Sequence, residues 1–389
     1  MLVDVFTSSL WLAGGGDRVT AAAVRALLGA NHQVTLHTSR PVDLKVYTTL
    51  FDSDFTRVEL KVHKCPLKRL SMAKGIGRYA NLVCEFAVRN PMRGDVFVDL
   101  TAATCLGATY FRLPDIAYWN PPADFRVYLR QILNTPLRRA LFTPFSVALT
   151  RLLDRMNEVP VHFVNSNYSE TTIRKYYDGR LQARMYLLYP PVDISAWTPY
   201  AVADQRKGII SVARFSPWKR HDMQLEIVGN GFPLTMVGGA RAPLETATVR
   251  ELKRVETDNV QILVNLPIEK LRQLLWKTKV FLHTAESEPF GLSIVEAIAA
   301  GCVPVIRRSG GAAEVVPIQE LTFAGPSEAR SIVSKALAGD LDHYLPRLRE
   351  HIRKFDESVF SSKFLAAVNQ AGHLQSEADE PGKHLRQAH

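Results

Sequence analysis

Cysteine is scarce in this chain: four in 389 residues, at Cys65, Cys84, Cys105 and Cys302. Their spacing forms neither a CxxC redox pair nor a zinc knuckle, and so few thiols fit a reducing compartment in which each is a small buried apolar residue. No apolar run approaches the ~20 residues of a membrane-spanning helix. The start, Met1-Leu-Val-Asp-Val-Phe, has an acid at position 4 and no basic flank, which argues against a secretory signal. The 11 histidines are dispersed without HExxH or HxxxH, and the two DxD triplets, Asp52–Asp54 and Asp340–Asp342, lie outside the strand-end setting that would hold a divalent ion. No metal and no cofactor are therefore expected. Acids are short in one half only: residues 1–200 hold 24 Lys/Arg against 16 Asp/Glu, and residues 201–389 hold 24 against 22. A basic first half beside a nearly neutral second half points to an anionic partner on one side. Nothing resembles a helix-turn-helix, an RNA-recognition motif or a zinc finger, so nucleic acid is not that partner. A composition 47% hydrophobic and 22% charged excludes disorder and collagen-like repeats.

What is present is alternation. Apolar runs such as Leu2–Thr7, Gln33–Thr38, Ile116–Trp119, Val260–Val264 and Val303–Ile306 are separated by segments of helical period, among them Arg18–Ala30, Ser169–Tyr177, Glu269–Lys277 and Leu292–Ala300. Strand–helix–strand alternation predicts α/β architecture with parallel sheets covered on both faces, and the length suits two domains. The proline-rich stretch from Tyr189 to Gln205 marks the boundary. The predicted organisation is a first domain over 1–190 and a second over 191–345. A terminal helix over 346–374 then returns to the first domain, and a polar disordered tail covers 375–389.

Three stretches carry chemistry. His283-Thr-Ala-Glu-Ser-Glu-Pro-Phe-Gly-Leu-Ser-Ile-Val-Glu296 reads as strand end, loop and helix, with Pro289 and Gly291 keeping Glu288 in the loop and Glu296 about one turn into the helix. The amides of Phe290, Gly291 and Leu292 would then face outward at a helix start, where unpaired N–H groups and the dipole favour an anion. A carboxylate on each side suits a nucleotide sugar, although the spacing alone equally allows two solvated acids. Val212-Ala-Arg214-Phe-Ser-Pro-Trp-Lys219 leaves a strand and enters a helix at Pro217, and its turn brings Arg214 and Lys219 together as a diphosphate grip or as a solvated basic turn. Gly14-Gly15-Gly16, between the first strand and first helix, would let a ligand approach the backbone and offer amides to an anion, or would form only a tight turn. It is no dinucleotide fingerprint, because Val19 stands where the third glycine of GxGxxG belongs.

The Glu288–Glu296 stretch resembles the EX7E signature of family 4 retaining glycosyltransferases, and Ser309-Gly-Gly-Ala-Ala-Glu314 resembles that family's Gly-rich turn. The resemblance implies the GT-B fold, two facing Rossmann-like domains with an acceptor side first and a nucleotide-sugar side second. It implies that Glu288 meets the donor sugar, that Glu296 binds the ribose, and that Arg214 and Lys219 hold the diphosphate and stabilise it as it leaves. Asn265, before the helix at Glu269, or backbone beside it, would read the base. In detail the glycines at 14–16, Val164–Ser169 and Tyr189–Asp193 are similar to the α-1,2-mannosyltransferases that extend dolichol-diphosphate oligosaccharides on the cytosolic membrane face. That subgroup has a histidine where this chain has Asn120, which can hydrogen-bond but cannot titrate.

The resulting expectation is a retaining transferase moving mannose from GDP-mannose, without a metal, onto a lipid-linked diphosphate oligosaccharide. The alternatives are a UDP-sugar enzyme of the same fold and a non-catalytic anion- or membrane-binding protein. Residues 61–93 carry eight Lys/Arg against Glu85 alone, and residues 125–157 carry six against Asp154 alone, with large apolar residues interleaved. Basic and apolar residues on one surface suit a helix in an anionic membrane interface, so a peripheral enzyme on the cytosolic face is expected, although two core-facing helices with basic backs would give the same pattern.

Overall fold

The computed structural model describes residues 1–7, 14–38, 41–51, 54–63, 92–100, 113–119, 156–176, 179–199, 206–240 and 243–378. By contacts the chain divides into two units, one formed by Met1–Pro191 with Ser358–His389, the other by Val192–Glu357.

In the first unit, seven strands lie in one parallel sheet: β1 (Leu2–Thr7), β2 (Gln33–Thr38), β3 (Glu59–Val62), β4 (Val96–Asp99), β5 (Ile116–Trp119), β6 (Val161–Val164) and β7 (Met185–Leu187). Their order is β3-β2-β1-β4-β5-β6-β7. Central strands are buried on both faces, which is why β1, β4 and β5 read as mostly apolar runs rather than alternating ones, with the buried acids Asp4 and Asp99 as exceptions. The C-terminal helix Glu357–Ala378 supplies Phe360, Phe364, Ala367, Val368 and Ala371 to the same core as Val3, Val5, Val98 and Tyr118.

In the second unit, six strands form a second parallel sheet: β8 (Lys207–Val212), β9 (Leu234–Gly238), β10 (Val260–Val264), β11 (Thr278–His283), β12 (Val303–Arg307) and β13 (Thr322–Phe323), ordered β10-β9-β8-β11-β12-β13. Both sheets reverse direction of winding once, between β1 and β4 in the first and between β8 and β11 in the second. This is the doubly wound order, whose ligands bind outside the carboxyl ends of the strands at the reversal.

Two expectations change. The helix expected across 346–374 is broken, because Leu345–Ile352 and Glu357–Ala378 are separated where the chain turns to pair with Val192: Val192 N–H donates to Phe355 O at 3.0 Å and Glu357 N–H to Val192 O at 3.0 Å. Residues 346–357 therefore stay with the second unit, Leu345–Ile352 packing against the helix Leu292–Ala300, and the return begins at Ser358. Residues 375–378 belong to the last helix rather than to a tail, and 379–389 lie outside the described residues. The short strands β7 and β13 are additional to those read from periodicity.

Candidate functional site

The adjacent strands β8 and β11 end side by side at the reversal of the second sheet, and the residues that follow each one form the site. After β8 the chain passes Arg214 and a single 3-10 turn, Pro217–Lys219, before the helix His221–Val228. Phe215, fully buried, anchors this loop, and its N–H donates to Gly239 O at 3.1 Å. After β11 the chain forms the loop that holds Glu288, then turns at Gly291 (φ +107°) into the helix Leu292–Ala300. Only glycine takes that backbone conformation without strain.

Lys219 Nζ forms an ion pair with Glu288 Oε2, and His283 Nε2 lies 3.5 Å from the same oxygen. Both ends of the pair are largely buried, the side chains 17% and 13% exposed. Burial by itself would raise the Glu288 carboxyl; the Lys219 charge, with His283 beside it, overrides burial and holds it well below the ordinary carboxylate range. Glu288 is thus a fixed anion that accepts hydrogen bonds. Its loop is clamped from two sides. Gly311 N–H donates to Glu288 O at 2.7 Å, Ser287 N–H donates to Ser309 Oγ at 2.9 Å, and Glu286 N–H donates to Trp218 O at 3.3 Å. Gly310 approaches so closely that a Cβ there would lie 2.4 Å from Glu288 O.

The helix Leu292–Ala300 starts without a side-chain cap. Ile294 N–H already donates to Gly291 O at 2.9 Å, which leaves the amides of Leu292 and Ser293 at the helix start to face an anion beside Lys219 and Glu288. Glu296 on this helix is 2% exposed, which removes the solvated-surface alternative for that acid. Phe290 is a packing residue by its side chain, 2% exposed and edge-on to Phe355 with centroids 5.0 Å apart.

Arg214 differs from Lys219. Its side chain is 68% exposed, with Nη1 3.7 Å from the mostly buried Glu245 carboxylate on the helix Pro243–Leu252. The structure thus gives an exposed guanidinium on the same loop as a largely buried lysine. Asn265 has φ +55°, and its Oδ1 accepts from Ala240 N–H at 3.2 Å, holding the turn after β9. One face of that side chain is thus committed to the backbone, and base reading by Asn265 is confined to the other.

Gly14, Gly15 and Gly16 open the helix Gly15–Gly29 of the first unit. Gly14 N–H donates to Asp17 Oδ2 at 3.1 Å, so that one amide is taken by the chain's own aspartate. A side chain at Gly16 would meet nothing of the chain within 4 Å. Asn120 and most of the two basic segments lie outside the described residues. Among the described residues no cluster of metal-ligating side chains occurs, and Asp342 of the second DxD pairs with Lys279 instead. An open groove of about 520 Å³ lined by Phe232, Ser327, Arg330 and Ser334 lies before β9 begins, at the amino end of the sheet and away from this chemistry.

Sequence reasoning places His221 and His283 beside the donor cleft, as packing, supporting or contacting residues, and His283 lies against Glu288. Two contributors it missed: Glu245 gave no signal, and the reach of the Ser309–Gly311 turn onto the Glu288 backbone is a tertiary contact.

Residues 199–335 match the family "Glycosyl transferases group 1". Glu288, Glu296, Arg214 and Lys219 all fall inside that match, and the glycines at 14–16 fall outside it. The GDP-Man:Man(3)GlcNAc(2)-PP-Dol alpha-1,2-mannosyltransferase of Dictyostelium discoideum is 27% identical over 53% of this chain and 46% of its own length. The protein of the same name from Xenopus laevis is 28% identical over 53% and 48%. The chain thus spans about half the length of the curated relatives it matches. Among solved structures, sucrose-phosphate synthase from Thermosynechococcus elongatus aligns with a TM-score of 0.71 at 15% identity, over 97% of this chain and 99% of the other. Anabaena HepE in complex with UDP-glucose aligns at 0.68 and 16%, over 95% and 100%. The fold is therefore that of glycosyltransferases with two Rossmann-like units, the GT-B class.

Proposed function

We propose that this protein is a retaining glycosyltransferase that moves mannose from GDP-mannose onto a lipid-linked diphosphate oligosaccharide. The observation that carries this reading is the Lys219–Glu288 pair beside an uncapped helix start, at the carboxyl ends of β8 and β11. Such a place offers a fixed positive charge and oriented amides to a diphosphate, and a fixed carboxylate to sugar hydroxyls. The printed names of the curated relatives supply the choice of sugar and acceptor.

In this reading the diphosphate departs from the face that the acceptor attacks, through an oxocarbenium-like state. Lys219, Arg214 and the amides at Phe290–Leu292 stabilise the charge growing on the leaving group, an electrostatic preorganisation that needs no metal. Glu288, kept ionised by Lys219 and His283, fixes the sugar, and Glu296 takes the ribose. Acceptor binding belongs to the first unit, with the glycines at 14–16 and Asn120. Among the described residues no helix is long and apolar enough to cross a membrane; the two basic segments would hold the enzyme on an anionic cytosolic surface.

A UDP-sugar enzyme is the second reading, favoured by the likeness to a structure solved with UDP-glucose. Thermal shift with GDP, UDP and ADP separates the readings, since a ligand at 100 times its dissociation constant adds roughly 2.7 kcal/mol. GDP giving the largest shift, with transfer of mannose to a lipid-linked diphosphate oligosaccharide, is the expected result. A larger shift with UDP selects the second reading, and no shift with any of the three selects a non-catalytic protein.

A further inference from the structure

The loop that carries Arg214 and Lys219 is tied to two strands by a buried polar network. Gln224, on the helix His221–Val228 and 1% exposed, places Nε2 2.7 Å from Ser211 Oγ on β8 and 3.0 Å from Thr284 Oγ1 just beyond β11. Thr284, fully buried, places Oγ1 2.8 Å from the carbonyl oxygen of Lys219 and 3.1 Å from that of Arg220. Proton accounting fixes the direction of these bonds. Carbonyls only accept, so the single hydroxyl proton of Thr284 goes to them, and its oxygen accepts the Gln224 N–H. On the other side of the amide, the His221 ring lies 3.4 Å by Nδ1 from Gln224 Oε1 and 3.3 Å by Nε2 from Arg214 O. The same network therefore reaches both ends of the anion-binding loop.

The backbone it holds needs holding. Arg220 is left-handed at φ +52°, a conformation that costs a non-glycine residue and persists only where its surroundings impose it. We propose that Thr284, supported by Gln224, is a positioning residue for the diphosphate-binding lysine. It sets the backbone from which Lys219 reaches both Glu288 and the leaving diphosphate, and touches neither substrate itself. This inference rests on the reading that Lys219 binds the donor diphosphate.

The test is a double-mutant cycle on the full chain with GDP as the probe, read by calorimetry beside the unfolding midpoint. Thr284→Val keeps the side-chain shape and removes the hydroxyl; Thr284→Ser keeps it. The expected result is about tenfold weaker GDP binding in Thr284→Val, recovery in Thr284→Ser, and little further loss when Thr284→Val is added to Lys219→Ala, since contacting groups couple. A purely structural threonine would lower the midpoint but would weaken binding equally with and without Lys219, and that result overturns the proposal, as does normal GDP binding by Thr284→Val. Normal binding by Lys219→Ala alone would instead remove the underlying reading of the site, and this inference with it.

Discussion

Lys219 and Glu288, 69 residues apart in sequence, neutralise each other within a largely buried site. A buried pair of this kind is costly to break from either side, because the remaining charge is left without its partner. In the proposed reading, an arriving diphosphate shares Lys219 with the carboxylate assigned to the sugar.

Glu288→Ala is therefore expected to separate binding from chemistry. Sugar transfer should fall by about two orders of magnitude or more, while GDP binds at least as tightly as before, since Lys219 is released to the phosphates. Calorimetry with GDP beside a transfer assay checks this, and unchanged turnover would place the catalytic carboxylate elsewhere.

Arg214→Ala and Lys219→Ala should differ in degree. Charge-assisted hydrogen bonds are worth about 1.5–3 kcal/mol, and the more exposed Arg214 should lie at the bottom of that range or below it. The double variant should lose diphosphate affinity and transfer together. Normal GDP and UDP binding by the double variant would move the diphosphate site.

Gly310→Ala should damage a site that it does not touch by side chain. The added Cβ would lie 2.4 Å from Glu288 O and 2.6 Å from Glu288 N, at a residue with φ +72°. The strain is of the order of 1–3 kcal/mol, and relief by moving the 287–288 loop would draw Glu288 from Lys219. A lower unfolding midpoint with disproportionate loss of transfer is expected; full activity would show that the clamp is dispensable.

Stability of the first unit should fall on mild acidification. His162 accepts from Trp119 Nε1–H at 2.8 Å through Nδ1 and donates through Nε2 to Met156 O at 2.9 Å, which requires the neutral ring. Burial pushes its pKa down to about 4 from the usual 6.5. Between those values the unfolded chain binds a proton that the folded chain refuses, so the stability of the neutral ring is complete above about 6.5 and is lost as pH falls toward 4. His63, also lowered to about 4 by burial and by His37 and Lys61, acts in the same direction. Denaturant midpoints at pH 7 and pH 5 should show the drop, and a His162→Gln variant should show a smaller one.

Membrane docking predicts flotation with liposomes that contain anionic lipid, weakening between 50 and roughly 500 mM salt as the Debye length shrinks. Flotation indifferent to lipid charge, or none, would favour a soluble acceptor.

Much of this protein is written locally. Strands packed into a sheet core are mostly apolar, with Asp4, His37 and Gln261 as interruptions, so Leu2–Thr7, Gln33–Thr38 and Val260–Val264 are visible as runs with the bounds the structure gives them. The Pro-Phe-Gly between Glu288 and Leu292 is visible as the loop that starts a helix, because proline and glycine act on the backbone where they stand. Tertiary structure alone decided the rest. Sheet order, which depends on how crossovers pack, set β8 beside β11 and so brought Lys219 to Glu288. Burial of Glu296 depended on what covered its helix, and the break before Glu357 depended on a partner at Val192, more than 160 residues earlier. Short-range propensity carries no information about contacts made across such distances, which is why the residue types of the site were legible in the sequence and their pairing was not.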